Sequence, residues 1–462
     1  MFVNNYTYAN GQGFYQIETD KNFIDYIPGE LNKLVITFEN AENPNEPRPD
    51  KFRYPWGGVY LNRKGFSVLG VKPKHVDWYR SKCLHEFFRS EEFKAFSQSF
   101  VKVYFYGSSM GGFGALVFSD TVPNSIVIAF NPQSSLDENI AGWDKRYPQG
   151  TSQYWGGDFS DAAIFPTAPK KIFLAYDPFC REDGLHARRI ESDRDNVISL
   201  KMPFVGHVMM SWLQKSGVLT QFIEGAFAES LTDFDCWLLA RSRRKIARYY
   251  HMLGTLNKNP STVKLCIYSI LIIDEVPENF ARIIFELTKL VGKSDDIDIT
   301  TIPLKSRDDM AKNSVGKGYF YLAKRLSDLG DVEKSLKFSL KIIRYGGYHA
   351  SILINVAECY IKLNTYELAN FYANEAFNVC EKEELANVYR IKSRILLKLD
   401  KPLLALEMAK ESVEIDYNMM GLKDCFNALL KTENFDEALS YAIMISDQFG
   451  DDTYLKKLKV KE

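Results

Sequence analysis

The sequence predicts an α/β fold, a mostly parallel sheet with helices on both faces, followed by an all-α region of repeated helix pairs. Three observations carry this. Short apolar runs alternate with helical spacings through the first ~230 residues. Strand signals almost cease beyond residue 233. One small-residue pattern then recurs in the tail at near-constant spacing. With 462 residues the chain exceeds one ordinary core. The expected domains are 1–230 (the α/β region), 231–309 (helical linker region) and 310–462 (helical repeats).

In order along the chain, "KLVITFEN" (33–40) and "GFSVLGVK" (65–72) read as buried strands, and "SKCLHEFFRSEEFKAFSQSF" (81–100) has helical spacing. The strand "VKVYFYG" (101–107) leads into a helix from about Gly111, and "SIVIAFNP" (125–132) is the next strand. "KIFLAYD" (171–177), a helix through "GLHARRIESD", and "NVISLKMP" (196–203) complete the alternation. Apolar strands separated by helices argue for a parallel sheet covered on both faces, with its site at the carboxyl ends of the strands.

Composition narrows the function. Hydrophobic residues are 46% and charged residues 25%, the balance of a globular protein. Lys plus Arg number 58 against 59 Asp plus Glu, which gives no argument for nucleic acid as a partner. The seven cysteines form no CxxC pair, so neither a metal site nor a disulfide framework is expected. Reduced thiols suit a cytoplasmic location. "MFVNNYTYANGQGF" lacks the pattern of a secretory signal. The most apolar stretch, "LCIYSILII" (265–273), is too short to span a bilayer and reads as a buried helix. The basic run in "LLARSRRKIARYYHML" (238–253) reads as the solvated face of a linking helix, or else as a surface for an acidic partner.

Gly107-Ser108-Ser109-Met110-Gly111 matches G-x-S-x-G at the junction of strand and helix. A serine at the tip of so tight a turn sits in a strained backbone, and side chains two residues to either side would collide with strand and helix. Ser109 is the candidate nucleophile; Ser108 would be flanked by Tyr106 and Met110. A P-loop is excluded because no lysine follows, and a dinucleotide loop because Ser109 stands where its second glycine belongs. A hydroxyl needs a base, and the base needs an orienting acid. With chain order Ser, acid, His, the base is His207 in "PFVGHVMM", just past the last strand. His186 reads as a surface or supporting residue. For the acid, Asp183 is favoured over the alternative Asp177, since several loop residues are needed to swing a carboxylate to the histidine. A plain helix cap is the competing role for Asp183. The amide of Met110, with those of Asn40 and Ala41 after "LVITF", would form the oxyanion hole. Gly57 and Gly58 are an alternative donor pair.

On "YGSSMGGFGAL", "YDPFCREDGLHA" and "FVGHVMM", the first 225 or so residues resemble the α/β-hydrolase superfamily. "DWYRS" (77–81) and "NPQSSLD" (131–137) look like bacterial members found with surface-polysaccharide genes, some of them serine O-acetyltransferases of capsular sugars. The resemblance implies attack by Ser109 on an ester or thioester, with water or a sugar hydroxyl as acceptor. The substrate would be an ester or glycan, with acetyl-CoA an acyl donor to test and no resident cofactor. The insertion "DENIAGWDKRYPQGTSQYWGGDFSD" (137–161) falls where a cap would lie. Its Trp143, Tyr147, Tyr154 and Trp155 would stack on a sugar ring or serve as ordinary cap packing.

The tail places Ser335, Ala369, Ala405 and Ala438 at spacings of 34, 36 and 33 residues, each after an apolar pair and a short polar turn. Over roughly 310–450 it resembles tetratricopeptide repeats, with most Trp, Gly and Pro markers missing. That resemblance implies docking of a protein partner or a polymer, and an alternative in which the whole chain is a non-catalytic adaptor.

Overall fold

The computed structural model describes residues 4–41, 51–291 and 302–459; residues 292–301, part of the expected linker region, lie outside it. Two compact units are present, Met1–Tyr249 and Tyr250–Glu462.

The first unit is built on one nine-stranded sheet: β1 Asn5–Thr7, β2 Gly13–Glu18, β3 Asn22–Ile27, β4 Lys33–Phe38, β5 Ser67–Pro73, β6 Lys102–Ser108, β7 Ile126–Phe130, β8 Lys171–Tyr176 and β9 Val197–Lys201. Their order is β1-β2-β3-β5-β4-β6-β7-β8-β9. The six strands from β5 to β9 are parallel, while β1–β3 form an antiparallel extension joined to β5. That extension was not expected.

Successive side chains of a strand face opposite ways, so each central strand serves two cores. Leu34, Ile36 and Phe38 of β4, with Val103 and Phe105 of β6, enter one core with helices Lys82–Arg89, Glu91–Gln98, Met110–Phe118 and Arg181–Glu191. Val35, Tyr104 and Tyr106 enter the other, against helices Met209–Lys215, Leu219–Phe227 and Asp233–Ala240. Burial on both faces explains the continuous apolar runs of these strands. The helix expected over 81–100 is two, meeting at Ser90, which ends the first and caps the second by accepting from the Phe93 amide.

The described elements of the second unit are all helices. Four consecutive pairs are Asn313–Asp328 with Val332–Arg344, Ala350–Lys362 with Tyr366–Val379, Leu385–Lys398 with Pro402–Ile415, and Met419–Lys431 with Phe435–Phe449. Ser335, Ala369, Ala405 and Ala438 each lie fully buried in the second helix of a pair. The fold class is therefore the expected one: a mostly parallel sheet with helices on both faces, followed by an all-α repeat region. Helix Pro260–Ile272 stands where a buried helix was expected: Val263, Cys266, Ile267, Ile270 and Leu271 are buried, while Leu265 and Ile272 are exposed. Among the described residues no helix is long and apolar enough to cross a membrane.

Candidate active site

Parallel strands end at a common edge, and three of them deliver the predicted residues there: Ser109 follows β6, Asp177 and Asp183 follow β8, and His207 follows β9. Ser109 has φ 54° and ψ −119°, a left-handed conformation that a non-glycine residue adopts only under constraint. The constraint is visible. Its N–H donates to the Phe130 carbonyl at 2.8 Å, and its own carbonyl accepts from the Phe113 amide at 3.0 Å. A Cβ on Gly107 would lie 2.1 Å from the Gly111 carbonyl oxygen, and one on Gly111 would lie 2.2 Å from that of Phe38. The two glycines let strand, helix and the segment after β4 close on one another.

The Ser109 hydroxyl lies 3.1 Å from His207 Nε2, and His207 Nδ1 lies 2.9 and 2.8 Å from the two Asp183 oxygens. An ionised carboxylate only accepts, so Nδ1 carries the proton and Nε2 presents its lone pair to the serine. Asp183 is 1% exposed. Burial opposes its charge, but the hydrogen bond from His207, aided by the Arg146 guanidinium, holds its carboxyl below the usual range.

Asp177 sits elsewhere. Its oxygens accept from the backbone amides of Phe179, Phe204, Val205 and Gly206 at 2.8, 3.1, 2.8 and 2.6 Å. It ties down the loop that presents His207 and does not touch the imidazole; a carboxylate at the strand end reaches the neighbouring backbone first. Met110 opens its helix, so its amide is one of those a helix leaves without an internal acceptor. Asn40 and Ala41 directly follow the Phe38–Glu39 carbonyls that press on Gly111. Gly57 and Gly58 instead begin helix Gly58–Arg63.

Of the two roles open to Trp155, the structure shows cap packing: it is 6% exposed, donates to the Gly150 carbonyl at 2.9 Å and packs edge-on against Phe113. Trp143 is half-buried, its ring 4.4 Å from that of His186. His186 is fully buried, not at the surface. Its Nδ1 accepts from the Ser134 amide at 3.0 Å and its Nε2 donates to Asp144 at 3.0 Å.

Residues outside the triad and oxyanion set also reach the site, Tyr147 among them from the cap aromatics. The Tyr147 hydroxyl lies 2.9 Å from His207 Nε2, Asn131 Nδ2 lies 3.1 Å from the same atom, and Gln133 Nε2 donates to Ser109 Oγ at 3.3 Å. The Ser109 and Tyr147 hydroxyls and the Asn131 amide thus converge on one imidazole lone pair. Asn131 is itself left-handed, with φ 36°. "NPQSSLD" had flagged the stretch, but nothing local says where those amides point.

No family model and no curated protein matches the chain. Solved structures similar to it include a capsule O-acetyltransferase of Neisseria meningitidis serogroup A, 17% identical, covering 50% of this chain and 99% of that one at TM-score 0.33. A second is EstE5-PMSF, 12% identical, covering 52% and 85% at 0.32. A third is YrrB, a TPR protein with an unusual peptide-binding site, 23% identical, covering 28% and 67% at 0.25. At these identities and scores they say nothing of activity.

Proposed function

We propose that this protein is a serine acyl hydrolase or acyltransferase of the esterase/O-acetyltransferase type. The reading rests on the unbroken chain Ser109–His207–Asp183 at the carboxyl edge of the sheet, with the serine on a strained, glycine-flanked turn. Ser109 Oγ attacks an ester or thioester carbonyl while His207 Nε2 takes its proton. Asp183 holds the imidazole in the required tautomer and balances the imidazolium. The Met110 amide, joined by that of Asn40 or Ala41, receives the oxyanion. His207 returns the proton to the leaving alkoxide or thiolate, and an acyl-serine remains. Water or a sugar hydroxyl, deprotonated by His207, then attacks the acyl carbon and releases Ser109. A glycan acceptor with acetyl-CoA as donor is the transfer form. The helical repeats dock a protein partner or polymer; the assembled triad speaks against a purely adaptor role.

A fluorophosphonate probe tests the chemistry. It should label the wild-type chain at one site, and Ser109→Ala should abolish labelling while circular dichroism stays unchanged. Folded wild-type protein that takes up no probe would remove the reading. Acetyl-CoA consumption with and without acetylatable sugars separates transfer from hydrolysis.

A further inference from the structure

Asp144, Arg146 and Tyr147 lie in one turn of the 137–161 segment, and together they reach the whole Ser–His–Asp chain. Arg146 Nη1 donates to Asp183 Oδ1 at 2.8 Å. Its Nε and Nη2 donate to the two Asp144 oxygens at 2.9 and 2.8 Å. Asp144 in turn accepts from His186, whose other nitrogen is fixed by Ser134. The arginine is therefore a bridge between two buried carboxylates, one anchored to the body of the fold and one bonded to His207. The Tyr147 hydroxyl meets the opposite end of the same imidazole.

Two neighbouring residues thus grip both sides of His207: one through its acid, the other at the nitrogen that faces Ser109. The arrangement is more than packing. Asp183 Oδ1 is shared between a guanidinium and an imidazole, so Arg146 both stops the carboxylate from rotating and divides its negative field. A carboxylate whose charge is partly answered by arginine attracts the imidazole proton less. Among the described residues, the groups facing His207 and its acid are Ser109, Asn131, Gln133, Tyr147, Arg146, Asp183 and the Cys180 thiol. Burial pushes that thiol up to about 12, so it is neutral.

We infer that Arg146 is a positioning residue of the site: it fixes and charge-balances Asp183, the carboxylate that orients His207. The inference rests on the acyl-transfer reading, but one of its measurements does not.

The rate of fluorophosphonate labelling against pH is measured on the full chain for wild type, Arg146→Gln and Arg146→Lys. Arg146→Gln should move the acid-side midpoint up by about one unit and lower the plateau roughly tenfold. Arg146→Lys keeps the charge without the planar fork, so it should restore the midpoint but not the plateau. An unmoved midpoint in Arg146→Gln, whatever the plateau does, overturns the inference and leaves the nucleophile assignment standing. The second measurement needs no labelling: imidazole nitrogen NMR of the histidine-labelled chain, with the His207 signal identified by its loss in His207→Gln. Its titration midpoint should rise in Arg146→Gln; identical midpoints sink the inference even in a protein that takes up no probe.

Discussion

The carboxyl edge of the sheet and the repeat stack both bury polar groups, but of different kinds. At the sheet edge these are charges and imidazoles: Asp144, Asp161, Asp177, Asp183 and His186, each with one or more named partners. In the stack they are mostly small hydroxyls returned to a carbonyl. Ser335 donates to Ala323, Ser393 to Ala405 and Ser412 to Ala386, at 2.8, 2.8 and 2.9 Å. Asp424, shared by Arg390 and Arg394, is the stack's charged counterpart. A buried charge is costly unless several partners meet it, and those partners fix its orientation. A buried hydroxyl is cheap and small, and it lets helices come close. The difference separates a region in which direction matters from one in which spacing matters.

The sharpest way to break that comparison is to exchange the roles of the two aspartates after β8. Asp183→Asn should cut Ser109 labelling by about 10⁴-fold by favouring the wrong imidazole tautomer, with the fold intact. Asp177→Ala should instead strip four backbone amides of their acceptor and lower unfolding stability by about 3 kcal/mol or more, read by urea titration. Equal losses of stability in both would mean that the two carboxylates are interchangeable braces. In the stack, Ala405→Leu should cost about 1–3 kcal/mol by overpacking and leave the labelling rate unchanged. A parallel fall in labelling would show that spacing in the repeats reaches the chemistry. The smallest effect concerns His186. Burial lowers its pKa, against the raising effect of its Asp144 hydrogen bond. Below about pH 6.5 the unfolded chain gains a proton on this ring that the folded chain resists. Stability should therefore fall as pH drops below that value, by at most about 1.4 kcal/mol per unit. Denaturation at a series of pH values, compared with His186→Gln, isolates the slope.

How much of this was legible in the sequence varies with range. The parallel strands announced themselves because burial on both faces demands unbroken apolar runs. The turn at Ser109 was legible because two backbones approach within a carbonyl's reach, and only glycine at 107 and 111 permits that. His207 and Asp183 followed from chain order and loop length, since a parallel sheet gathers successive loops at one edge. The antiparallel β1–β3 were missed because "NYT", "GFYQIE" and "NFIDYI" are short and mix polar with apolar residues. Arg146 and Tyr147 stand in the aromatic insertion, yet their roles depend on partners 37 and 60 residues away. Spacing within a segment carries no signal of that kind. Trp155 shows the converse: its residue type left a sugar platform and cap packing both open, and only the contact with Phe113 separates them.

One outer margin of the sheet is a stub. Strand β1 spans Asn5–Thr7, three residues, and all three are at least partly exposed. So short a ladder offers a neighbouring chain too few hydrogen bonds to repay alignment. Growth by strand addition at that margin is thereby discouraged, and crowded solutions of the folded chain should resist fibre formation through it.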